Sequence, residues 1–342
     1  MKLMNKILLL ITLLTVVISC NKDFPDPKKK VVINKIAEST ELPGEVSIFF
    51  QVYDRKNETP IAGLHSGDFT IYEQGPNDSK FNKISESEAS SSIVLDDHNF
   101  IFSTMLVLDL SGSVTSNNLE ELKTSSLAFI NEFMPTDVSS TTEMGVWWFD
   151  GEENLHELHN YTAHKDSLLL AINSITSTIS SDNSTNLYGA VTQASAISLS
   201  NTNYYDSLGI LNSSAIVIFT DGTDQAAFTD KNQTLDLVSS FPDHTKFLTI
   251  GLGDEIDEKI LKEIGSDGHA FAEDPSTLTE NFSKIALRIS DEANSYYLFK
   301  YCSPKRNGTD IKLKLEINTK LNGQKHKGAL ETSFDATGFT GC

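Results

Sequence analysis

Asp109, Ser111 and Ser113 stand at alternate positions in LVLDLSGSVTS (Leu106 to Ser116), where an apolar run ends. Three oxygen-bearing side chains on one turn can hold a metal ion, position a nucleophile or cap the helix that follows. Two later segments add oxygens of the same kind: Thr185 in STNL (Ser184 to Leu187) and Asp221 in FTDGTD (Phe219 to Asp224). Hydroxyls and carboxylates are hard donors. They suit Mg²⁺, Mn²⁺ or Ca²⁺ and not zinc, which prefers His and Cys. Two carboxylates balance a divalent ion without over-neutralising it, so an open coordination position can still attract an external carboxylate. The nucleophile readings fail on spacing. A nucleophile elbow requires Gly-x-Ser-x-Gly, and Asp109 stands two residues before Ser111. A phosphoryl-transfer Asp-x-Asp pattern requires an acid where Ser111 stands.

These residues need elements that bring distant loops together. From Asn99 the pattern alternates between strands and helices. NFIFSTMLVLDL is a buried strand, and Leu119, Leu122, Ser126, Phe129, Ile130 and Phe133 follow at helical spacing. EMGVWWFD is the next strand, with core packing the default for Trp147 and Trp148, one on each face. ENLHELHNYT alternates like the edge strand of a hairpin. Its His156 and His159, with His164 at the exit, are read as a solvated edge. Helices are expected over Lys165–Ile175, Leu187–Leu199, Thr234–Phe241, Glu258–Ile264 and Ser276–Asn294, with strands at SSAIVIFTDG, KFLTIGLGD and HAFAED between them. Asp254, Glu255, Asp257 and Glu258 read as a solvated acid group at a helix N-terminus. Such alternation implies a doubly wound, mostly parallel α/β sheet, whose ligands bind at the carboxyl ends of the strands. Asp109, the Thr185 loop and Asp221 then face one crevice.

In order and context, Asp-x-Ser-x-Ser, the later Thr and the later Thr-Asp-Gly resemble the metal-ion-dependent adhesion site of the von Willebrand factor type A family, over about Asn99 to Asn294. The resemblance implies a divalent ion, Mg²⁺ or else Mn²⁺ or Ca²⁺, reached directly by Ser111, Ser113 and Thr185, with Asp109 and Asp221 acting through water. It implies recognition of a Glu or Asp carboxylate on a partner protein, without enzymatic activity. Ser184 stands where the family often has Gly. In members that switch, the last helix shifts when the site engages a ligand. Here that helix leads almost directly into the strand at Tyr296.

The flanks are β-like: EVSIFFQVYD, GDFTIYEQG and SSSIVLDD before the α/β region, and SYYLFKYC, DIKLKLEIN and GALETSF after it. The stretch VYDRKNETPIAGLHSGDFTIYEQG resembles the β-module preceding A domains in some bacterial exported proteins, and YYLFKYCSPKRNGTDIKLKLEI resembles the strands that follow them. Neither flank has enough strands for a core of its own. The expectation is one β-sandwich of about seven strands (residues 31–98 and 295–342) with the A domain (99–294) inserted into it. Two separate β appendages are the alternative.

The chain has 342 residues, 39% hydrophobic, and a formal net charge of -20. That acidity excludes nucleic-acid binding and peripheral adhesion to anionic lipid. Lys2 and Lys6 precede an apolar run, Ile7 to Val17, too short for a stable membrane span. The run ends in VISC, which resembles a bacterial lipoprotein signal, with Leu commoner where Val17 stands. This implies a signal peptide over 1–19, a lipidated Cys20 as the only membrane attachment, a tether over 20–30 and a place in the bacterial cell envelope. The remaining Cys302 and Cys342 are expected to pair in an exported protein. That bridge would close a loop of about 40 residues, worth roughly 4 kcal/mol in the chain-entropy model. The expected function is cation-dependent protein binding by an envelope lipoprotein. The alternative is a structural or assembly protein whose metal only stabilises the fold.

Overall fold

The computed structural model describes residues 31–56, 59–85, 91–93, 100–136, 141–321 and 324–341. The segments expected as signal peptide and tether, Cys20 with them, and Cys342 lie outside the described residues. A six-stranded sheet forms the centre of the α/β unit. Its strands are β6 (Phe100–Asp109), β7 (Thr142–Phe149), β8 (His156–Thr162), β9 (Leu211–Thr220), β10 (Thr245–Leu252) and β11 (Gly268–Ala272). The spatial order is β11-β10-β9-β6-β7-β8, with every neighbour parallel except the β7–β8 hairpin. The chain starts at β6, runs outward to the β8 edge, then returns to β9 on the other side of β6. The winding direction therefore reverses between β6 and β9, which opens a crevice at their carboxyl ends.

Helices cover both faces, which is why the central strands read as continuous apolar runs rather than alternating ones. On one face α1 (Leu119–Phe133), α2 (Lys165–Asn173) and α6 (Leu278–Ala293) bury Leu122, Phe129, Leu168, Ile172, Phe282 and Ile285 with Trp148 of β7. On the other, α3 (Leu187–Ser207), α4 (Lys231–Ser240) and α5 (Glu258–Ile264) bury Leu187, Val191, Val238, Ile260 and Ile264 with Trp147. Asp230 and Asp257 cap α4 and α5, each side chain accepting from two backbone N–H groups. Helix α3 runs eight residues past Leu199, because small and polar side chains such as Ser198 and Thr202 are buried against β9 rather than ending the helix. Helix α4 starts earlier than the apolar spacing predicts, at its Asp230 cap.

Among the described residues the flanks supply eight strands: β1 (Val31–Glu41), β2 (Glu45–Asp54), β3 (Phe69–Gln74), β4 (Asn82–Lys83), β5 (Ser91–Ile93), β12 (Tyr296–Cys302), β13 (Ile311–Leu321) and β14 (Gln324–Phe334). They form two four-stranded antiparallel sheets, β1-β2-β12-β5 and β14-β13-β3-β4. Each sheet mixes strands from before and after the α/β unit. Ile48, Phe50, Val52, Tyr297 and Phe299 of the first face Phe69, Ile71, Leu313, Leu315 and Ile317 of the second in one core. The fold is therefore a doubly wound α/β sheet inserted in a β-sandwich made by the flanking segments.

Successive residues of β2 point to opposite sides. Phe49 turns away from the sandwich core and joins that of the α/β unit. There it meets Phe100 of β6 at 5.3 Å and Tyr296 of β12 at 5.9 Å, and those two rings stack at 5.1 Å. Strands β2 and β12 of that sheet are thus buried on both faces. The α6–β12 junction is held to β2 as well: the Gln51 side-chain amide donates to Glu292 Oε1 at 2.6 Å and to Ser295 Oγ at 3.0 Å, and Val52 N–H donates to Ser295 O at 3.0 Å.

Candidate metal site

Strand β6 ends at Asp109, and the chain turns through Ser111 and Ser113 into a π-helical turn (Val114–Asn118) that leads to α1. Asp109 is fully buried. Its Oδ1 accepts from Ser111 N–H at 2.9 Å, which fixes the turn, and its Oδ2 accepts from Thr220 Oγ1 at 2.6 Å, across to the end of β9. Beyond Thr220, Asp221 accepts at Oδ1 from Ser113 Oγ at 2.8 Å and at Oδ2 from Asn118 Nδ2 at 3.5 Å. Ser111 Oγ and Ser113 Oγ lie 3.4 Å apart. The β6 and β9 loops thus meet through side-chain oxygens at the point where the winding reverses.

Thr185 arrives on the loop that opens α3, and backbone bonds tie this loop to both others. Gly112 N–H donates to Asn183 O at 3.2 Å. Gln225 and Ala226 N–H donate to Thr185 O at 2.8 and 3.2 Å. The approach at Gly112 is so close that a Cβ there would sit 2.6 Å from Asn183 Oδ1. Thr185 is 3% exposed, and a Cβ built at Gly222 would meet its Oγ1 at 3.5 Å, which puts that hydroxyl beside the Asp221 loop. All five residues read from the sequence therefore belong to loops joined at one crevice.

Residues that spacing did not single out hold these loops. Asp150, fully buried after β7, accepts at Oδ2 from Ser180 Oγ at 2.8 Å and from the N–H groups of Ser181 and Asp182, both at 3.3 Å. Its carbonyl accepts from Asn186 N–H at 2.8 Å, just after Thr185. Asn186 caps α3 through Gly189 N–H. Asp224 accepts from Tyr188 N–H at 3.0 Å. Ser184 Oγ donates to Asp182 Oδ1 at 2.6 Å, so a side chain where Gly is frequent is used to brace its own loop. Asp150 ends an apolar strand much as Asp109 does, and that was the available signal.

Burial, and next the like charge of Asp221, push the Asp109 carboxyl up to about 7, against the opposing hydrogen bonds from Thr220 and Ser111. Asp221 is also raised, mainly by burial, with Glu255 adding repulsion. Two acids crowded out of water form a site that a positive ion would relieve. The donors present, three hydroxyls and two carboxylates with no nitrogen or sulfur, fit a hard divalent cation.

A doubly wound α/β sheet with an oxygen cluster at its switch point is the arrangement of a class of interaction modules that are often metal-dependent. The family model for the von Willebrand factor type A domain matches residues 105–285, and the chain belongs to that family. Domains of this kind are typically non-enzymatic interaction modules, and their adhesion-site motifs bind divalent cations. Among solved structures, a von Willebrand factor type A protein from Catenulispora acidiphila is similar at 13% identity, with a TM-score of 0.47, over 89% of this chain and 75% of its own. The conserved hypothetical protein BatB from Bacteroides thetaiotaomicron is similar at 16% identity and a TM-score of 0.44, over 57% of this chain and 100% of its own. Proximal thread matrix protein 1 of the mussel byssus, in a form described as having a zinc-occupied MIDAS motif, is similar at 15% identity and a TM-score of 0.42. That match covers 63% of this chain, which spans about half (49%) of the byssus protein. A comparison with curated proteins returned no match. Among the described residues, no helix is long and apolar enough to cross a membrane.

Proposed function

We propose that this protein binds a partner protein through a divalent cation, Mg²⁺ in the first instance, held by Ser111, Ser113, Thr185, Asp109 and Asp221. A Glu or Asp carboxylate of the partner would complete the metal shell, and no bond is made or broken. The reading is carried by the bond from Ser113 to Asp221 across the strand switch, beside Ser111 and next to the Thr185 loop. Bound cation would supply a positive centre in a buried acidic crevice. The protein's own residues orient the donors: the Thr220 hydroxyl and the Ser111 N–H hold Asp109, Asn118 holds Asp221, and Asp150 sets the Thr185 loop.

The same reading places the chain in the bacterial cell envelope as a lipoprotein anchored at Cys20, with the α/β unit (99–294) inserted in a sandwich of residues 31–98 and 295–342, closed by a Cys302–Cys342 bridge. Support for the bridge comes from one turn: Ser303 N–H donates to Gly44 O and Gly341 N–H to Pro43 O, each at 2.9 Å, so the neighbours of both cysteines dock together. An intact-mass measurement on the native chain reads acylation and bridge in one spectrum.

The functional test has two parts. Titration calorimetry with Mg²⁺ should give a binding isotherm that Asp109→Ala abolishes. Capture from the source cell's envelope should then require Mg²⁺ and fail with EDTA or with Asp109→Ala. Partner capture that ignores both the chelator and the substitution would rule out a metal bridge. A large Mg²⁺-dependent rise in Tm, with no cation-dependent partner, would instead favour the purely stabilising role.

A further inference from the structure

The β7–β8 hairpin carries a second cluster of metal-ligating side chains. Asp150, Glu152 and His156 each offer one ligand atom, and these atoms all lie within 4.8 Å of one another. Strand pairing brings them together: Trp148 of β7 sits opposite His156 of β8, and Asp150 and Glu152 occupy the connection between them. The imidazole is stacked on the Trp148 ring at 4.1 Å and 14°, which fixes its plane. Its Nε2 atom is buried and makes no hydrogen bond among the described residues. It faces Glu152 Oε2 at 3.4 Å.

We infer that Asp150, Glu152 and His156 form a separate site for a borderline transition-metal ion, Zn²⁺. A tetrahedral zinc ion with bonds of about 2.0–2.1 Å sets its ligand atoms about 3.3–3.4 Å apart, which is the spacing already found between His156 Nε2 and Glu152 Oε2. One imidazole and two carboxylates are zinc donors, unlike the all-oxygen set at the strand switch. The supporting contacts point the same way. Ser181 Oγ donates to Glu152 Oε1, leaving Oε2 turned to the imidazole. Asp150 Oδ2 takes three donors and Oδ1 takes Glu152 N–H at 2.9 Å, so Oδ1 keeps a second lone pair. Glu152 is exposed and His156 half-buried, which gives an ion a path in from solvent. Three protein ligands leave a fourth position for water or an incoming donor.

The test uses chelator-stripped protein titrated with Zn²⁺ while millimolar Mg²⁺ is present, read by calorimetry and by tryptophan fluorescence, since Trp148 lies against the ligand ring. Wild type should bind one zinc and change its emission. His156→Ala and Glu152→Gln should each weaken zinc by at least about tenfold while keeping wild-type Mg²⁺ affinity, which also shows that both are folded. Ser113→Ala should keep the zinc. Equal zinc affinity in wild type, His156→Ala and Glu152→Gln would overturn the proposal, as would loss of zinc in Ser113→Ala alone, and neither result bears on Mg²⁺ at the strand switch.

Discussion

Burying an acid is costly, because burial disfavours its charged form, and this chain buries several. Asp109 and Asp221 are crowded at the strand switch, whereas Glu73 of β3 lies fully buried in the sandwich. Glu73 Oε1 accepts from Tyr301 OH at 2.8 Å, but among the described residues Oε2 has no hydrogen-bond partner. Burial is the main cause that raises its carboxyl above the usual range, with the nearby Ser303 and Tyr301 hydroxyls acting to lower it. A raised acid stays protonated longer in the folded chain than in the unfolded one, so the folded state binds more protons and stability falls as pH rises. The loss begins near the unfolded value of about 4.3 and is complete above the folded one. Replacing the carboxyl by a neutral amide of the same shape removes that penalty. Glu73→Gln should therefore melt higher than wild type at pH about 9, with the two curves converging toward pH about 4; thermal melts at both pH values decide it. A constant difference across that range would mean that Glu73 is not paying for ionisation.

At the scale of elements, the path from the cation site to the sandwich is short. The Ser111–Ser113 turn runs into α1, which packs on α6 and touches it through Ser125 and Thr279 at 2.9 Å. Helix α6 buries Leu278, Phe282, Ile285 and Ile289 on one face, and only Asn294 and Ser295 separate it from β12. Gln51 clamps that link through Glu292 and Ser295. If the last helix shifts on ligand engagement, the link must give. Hydrogen exchange with Mg²⁺ and a carboxylate-bearing partner should then change protection across residues 276–301, and Gln51→Ala should raise basal exchange there without altering Mg²⁺ affinity. Unchanged protection on engagement would identify a rigid binder.

At the scale of the molecule, the Phe49, Phe100 and Tyr296 rings join an α/β unit to a sandwich that neither flank could build alone. The shared sheet makes one cooperative body the expectation, with a single urea transition. Truncating a buried Phe costs about 3–5 kcal/mol, so Phe49→Ala should lower the midpoint and split the transition in two, as followed by tryptophan fluorescence, which reports the α/β unit, and circular dichroism. A split already present in wild type would mean that the seam does not couple the two halves.

Much of this was legible in one dimension, because it depends on local pattern. Continuous apolar strands alternating with helical spacing imply a parallel sheet, and the carboxyl ends of such strands are where Asp109 and Asp221 must emerge. Adjacent Trp147 and Trp148 had to face opposite sides, and they do. Helix ends were less legible: buried Ser198 and Thr202 carried α3 well past its last apolar residue, since packing against β9 outweighs local propensity. The pairings that close the sandwich, β2–β12, β5–β12 and β3–β13, join residues more than two hundred positions apart, such as Phe50 with Tyr297, and no local signal encodes such a partner. The same holds for the imidazole of His156. By spacing it belonged with His159 and His164 on a wet edge. Hairpin register instead set it on Trp148 beside two carboxylates, because strand pairing, and not sequence distance, selects the neighbours a side chain meets.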